Sequence, residues 1–91
     1  MHVKISGLNY EVVYKTTEET NGLVGFADFN KQLIVINKDH TPQTQKIALL
    51  HEILHIVDET YGTGLNEQQV KILTHGLLAL FKENEILDFR S

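Results

Sequence analysis

The chain has 91 residues, 42% of them hydrophobic and 22% charged, a formal charge of −4 and no cysteine. This composition fits one domain with a modest core and excludes a disordered chain, disulfides, thiolate metal sites and thiol nucleophiles, so any metal must bind His, Asp or Glu. The eight Lys and Arg are scattered, with no basic stripe for nucleic acid, and neither a signal peptide nor an apolar run of about 18 residues is present, so a soluble cytoplasmic protein is expected, with no nucleic-acid or membrane partner.

Residues 2–6 alternate, with Val3 and Ile5 on one side, and Gly7-Leu8-Asn9 turns the chain into Tyr10–Tyr14, predicting a β-hairpin. Thr16–Gly22 is polar and aperiodic and reads as an exposed loop. A second hairpin is expected from Val24–Phe29 and Gln32–Asn37, with Asn30-Lys31 as the tight turn. Leu33–Ile36 is apolar on both faces, as in a central strand.

Thr41-Pro42 marks a helix start, Thr as N-cap and Pro where its missing N–H costs nothing. Ile47, Leu50, Ile53 or Leu54, and Val57 recur at helical spacing until Tyr61-Gly62, where Gly suits the C′ position. A second helix is predicted from the N-cap Asn66 through Val70, Leu73, Leu77, Leu80 and Phe81. In the tail beyond Glu85, Ile86, Leu87 and Phe89 are candidates for packing. No repeat or internal boundary interrupts the chain, which reads as one domain over residues 1–91.

The first helix carries His51-Glu52-Ile53-Leu54-His55. Residues four apart share a helix face, so the two imidazoles can meet one zinc at Zn–N distances of about 2.0–2.1 Å. Glu52 then stands beside the ion as a general base. Two histidines and a glutamate on an otherwise apolar helix are costly to bury unless a metal or partner groups satisfy them. A catalytic zinc takes three protein ligands and keeps one position open. Glu67, in the first turn of the second helix, is the preferred third ligand, although the helix dipole alone favours an acid there. His75 is its rival; it lies eight residues, about 12 Å, further along, so both cannot bind one ion. Asp58 is the third candidate, better suited to orienting a ligand histidine or standing in solvent at the helix end.

With these residues in place the chain resembles the gluzincin metallopeptidases, especially small bacterial and phage proteins of the ImmA/IrrE type. The resemblance rests on Leu49–His55 and on Leu65-Asn66-Glu67, which is similar to the Asn-Glu pair that presents the third gluzincin ligand. It implies a zincin-like α+β fold: a small, mostly antiparallel sheet, the active-site helix and a second helix bearing the glutamate. It implies Zn2+ on His51, His55 and Glu67, Glu52 as the catalytic base, and a protein or peptide substrate in the cytoplasm of a bacterial or phage-infected cell. Gly25–Lys31 with Gln32–Val35 is similar to the family's strand pair, whose first strand, Gly25, Phe26, Ala27 and Asp28, lines the cleft and pairs with extended substrate. Lys71 departs from the pattern, because many gluzincins have an Asp there. The larger subdomain that carries an oxyanion-stabilising His or Tyr is also missing, leaving Tyr61, His75 and His40 as substitutes, each with an ordinary structural role as its competing explanation. Two alternatives to a peptidase are a regulatory binding protein with a structural zinc and a metal-free interaction module in which His51, Glu52 and His55 form a polar cluster.

Overall fold

The computed structural model describes residues 1–84. Its elements are β1 (His2–Ile5), β2 (Leu8–Lys15), β3 (Gly25–Asp28), β4 (Leu33–Asn37), α1 (Pro42–Tyr61) and α2 (Glu67–Glu83). The tail residues Ile86, Leu87 and Phe89 lie outside the described residues.

The four strands form one sheet in the order β1-β2-β4-β3. Both hairpins are antiparallel, and the parallel pairing of β2 with β4 joins them. The first turn lies at Ser6-Gly7, one step earlier than its sequence suggests, and both residues have positive φ as primed hairpin turns require. The second connection spans residues 29–32, and Gln32 rather than Asn30 takes the positive φ.

Alternation along the strands puts Val12, Ile34 and Ile36 in one cluster with Ile5 and Tyr10, and α1 covers it with Ala48, Leu49 and Ile56. β4 is the interior strand its sequence predicts: Ile34, Val35 and Ile36 are all buried. At Gly25 the edge strand β3 runs close to both neighbours, since a Cβ there would stand 3.1 Å from the Val35 carbonyl oxygen and 3.5 Å from Ala48 Cβ.

The α1 caps match the sequence reading. Thr41 Oγ1 accepts from Thr44 N–H, and Gly62, in the left-handed region, donates its N–H to the Asp58 carbonyl. Asn66 caps α2 in a reciprocal box with Gln69. α2 packs on α1 alone among the described elements, through Val70 and Thr74.

The loop over residues 16–23 is less exposed than its polarity suggests, because Thr20 is buried beside the buried Asn37. The Asn37 amide donates to Thr17 Oγ1 at 3.1 Å and the Leu23 carbonyl at 3.1 Å, and its oxygen accepts from Asp39 N–H at 2.9 Å. This network fastens the loop to the end of β4 and fixes the entry into β3. Asn37→Leu would strand these partners, and the expected loss is about 1–3 kcal/mol by urea unfolding. A loss within experimental error would show that the loop holds without the network.

Candidate metal centre

Position along α1 determines which side chains meet. His51 and His55 lie one turn apart on a rigid helix, and their Nε2 atoms approach to 3.1 Å. The turn after Gly62 sends α2 back along α1, which brings Glu67 to the same place. Its Oε1 lies 2.7 Å from His51 Nε2 and its Oε2 lies 3.0 Å from His55 Nε2. Neighbouring nitrogens on a tetrahedral zinc are about 3.3 Å apart, so this three-sided cluster is close to the size of one face of such a site. With the hydrogen of each neutral ring on Nδ1, the two Nε2 lone pairs and the Glu67 carboxylate form a donor set that suits a cation. Among the described residues this is the group of His, Asp and Glu side chains able to hold a metal ion.

His75, the rival ligand, stands apart from that group. It lines an open cavity of about 380 Å³ between α1, α2 and the start of β3. Val24, Ile47 and Ala48 supply apolar surface there, while His51 and Glu52 stand at the cavity on the α1 side and Lys71, Thr74 and His75 on α2. Of the four β3 residues expected at the cleft, Gly25 lines this cavity and Phe26, Ala27 and Asp28 do not. The other cavity residues carry a periodic signal that the motif overshadowed. Thr44, Ile47 and Ala48 precede His51 by seven, four and three positions, and Lys71, Thr74 and His75 follow Glu67 by four, seven and eight. These are same-face spacings on their helices.

Glu52 is half-buried, and burial pushes its carboxyl above the ordinary value; His51 and His55 oppose that shift and Glu67 adds to it. A carboxylate raised towards neutrality is a stronger base than one free in water.

Asp58 neither orients a histidine nor joins the donor set. Its carboxylate accepts from the Thr63 hydroxyl and from Leu65 N–H at 3.1 Å, clasping the turn that delivers Glu67. Tyr61 is exposed and bonds Ser6 Oγ at the β1–β2 turn, and the His40 carbonyl accepts from Gln45 Nε2 at 2.8 Å. Neither residue lines the cavity.

The Thr63 hydroxyl, followed by the Leu65 N–H, holds the Asp58 carboxyl below its ordinary 3.8. A depressed folded-state pKa contributes stability that is complete above the ordinary value and lost as pH falls through the folded one. Asp58→Asn in metal-free protein is therefore expected to be destabilised at pH 7, with the difference from the parent shrinking below about pH 4. Urea unfolding at both pH values checks this; a difference independent of pH would assign the clasp to shape rather than charge.

The sequence profile of the IrrE N-terminal-like domain, a peptidase M78 family, matches residues 6–79. The chain belongs to this family. The match spans β2, β3 and β4, α1 with its His-Glu-x-x-His motif and the start of α2 with Glu67. No curated protein and no solved structure matches the chain. The fold is thus the zincin-like α+β arrangement of a metallopeptidase family, with His51, His55 and Glu67 drawn together at one point.

Proposed function

We propose that this protein is a zinc-dependent metallopeptidase that hydrolyses peptide bonds in protein or peptide substrates in the cytoplasm. The observation that carries this reading is the convergence of His51, His55 and Glu67 beside a cavity at which Glu52 is also placed. Two imidazoles and one carboxylate fit the ligand preferences of catalytic zinc and leave its fourth position to solvent or substrate. Bound there, zinc would supply a water of pKa about 7 and polarise the scissile carbonyl.

The chain's own residues supply the remaining parts. Glu52 takes a proton from the attacking water and returns it to the departing amine, a role helped by its raised affinity for protons. β3 lies at the sheet edge and its first residue borders the cavity, so an extended substrate can add as a further strand through backbone hydrogen bonds. His75, across the cavity on α2, is the residue best placed of the three candidates to donate a hydrogen bond to the developing oxyanion.

The test is digestion of a mixed peptide library by zinc-loaded protein, read by mass spectrometry beside Glu52→Gln, with metal content measured on both. Cleavage that requires Glu52 supports the peptidase. One firmly bound zinc with no cleavage of any peptide would favour the regulatory binding protein instead.

A further inference from the structure

The cavity beside the metal centre is unevenly built. Its apolar lining comes from Val24, Ile47 and Ala48, whereas its α2 side carries Lys71 and, one turn on, His75. Among the described residues neither forms an ion pair: the carboxylate paired with histidine in this region is Glu67, and it is directed to His51 and His55. Lys71 is exposed and thus free to reach over the mouth of the cavity. A lysine ammonium is a mobile point charge on an apolar stem, so it can cover apolar surface and still meet an anion. Glu52, the acidic group at this cavity, stands on the opposite helix beside His51. The chain as a whole carries −4, which disfavours anions at long range, so any attraction for them must come from such local cations.

We infer that this cavity is a specificity subsite for a substrate group that joins an apolar stem to a carboxylate, with Lys71 pairing the carboxylate. Two groups in peptides have this chemistry: an acidic side chain, above all that of glutamate, and the carboxylate at a chain end. The volume suits one side chain with its adjoining backbone, at the small end of the range for ligand pockets. The inference rests on the peptidase reading only in taking the carboxylate to be part of a peptide.

Binding is measured by amide chemical-shift titration of zinc-supplemented protein with four N-acetylated pentapeptides. Two are amidated, Ala-Ala-Glu-Ala-Ala and its Gln counterpart; two are penta-alanines, one amidated and one with a free C-terminus. The expected result is about fivefold tighter binding of a carboxylate peptide than of its neutral partner, the scale of a partly exposed charge pair. Shifts should centre on Ala48, Lys71 and His75, and the preference should vanish in Lys71→Met and persist in Lys71→Arg. Whichever carboxylate pair shows the preference identifies its source as side chain or chain end. Equal affinity within both pairs, absence of binding, or a preference that survives Lys71→Met would overturn the subsite. Mass spectrometry of the peptides afterwards tests hydrolysis separately, so a charge preference without cleavage would retain the subsite and remove the peptidase.

Discussion

Glu52→Gln is expected to lower kcat/KM for peptide hydrolysis by about 10²–10⁴-fold, the range for loss of a positioned general base. Metal content should be unchanged, because the donor atoms come from His51, His55 and Glu67. Stability provides an independent sign. The raised pKa of Glu52 means that the folded state disfavours its charged form at neutral pH. Above the folded pKa that penalty is fully present, and below the ordinary value of 4.5 it disappears because both states are protonated. In metal-free protein the neutral, nearly isosteric glutamine should therefore unfold at higher urea than the parent at pH 7 and at similar urea at pH 4. Lost activity with gained stability is the pattern of a group retained for chemistry. Activity preserved in Glu52→Gln would remove the residue from the mechanism.

Removing the metal should have the largest effect on stability. The His51, His55 and Glu67 cluster joins α1 to α2, and α2 packs on α1 but on no strand among the described elements, so a metal bound there would supply a large share of what holds α2 in place. A ligand at 100 to 1,000 times its dissociation constant stabilises by about 2.7–4.1 kcal/mol, which in a domain this size shifts Tm by roughly 10–30 °C. Calorimetry with and without chelator should show that drop. Glu67→Ala or His55→Ala should abolish most of it, whereas His75→Ala should leave it intact. Hydrogen exchange of the metal-free protein should show α2 amides losing protection before those of β4, whose Ile34, Val35 and Ile36 are buried in the sheet. A Tm indifferent to chelator would mean that the three donors hold α2 through their own hydrogen bonds alone.

Local rules explain why much of this protein is legible in its sequence. Thr41-Pro42, Gly62 and Asn66 set helix boundaries through backbone geometry and capping that depend on a few adjacent residues. The His51–His55 pair needs only the 3.6-residue period to converge, and the apolar run of β4 identifies an interior strand without its neighbours being known. Tertiary structure decided what depends on residues distant in sequence. Asp58 carries the same charge whether it serves a histidine or a turn, and only the path of residues 63–65 directs it to the turn. Thr20 and Asn37 are polar by composition yet buried, because each satisfies the other's segment across 17 positions. Glu67 and His75 share one face of α2, and the direction in which that helix folds back decides which of them meets His51 and His55 and which lines the cavity. Lys71 reads in the sequence as a departure from a family pattern; its place on the cavity wall follows from helix packing, which no local pattern encodes.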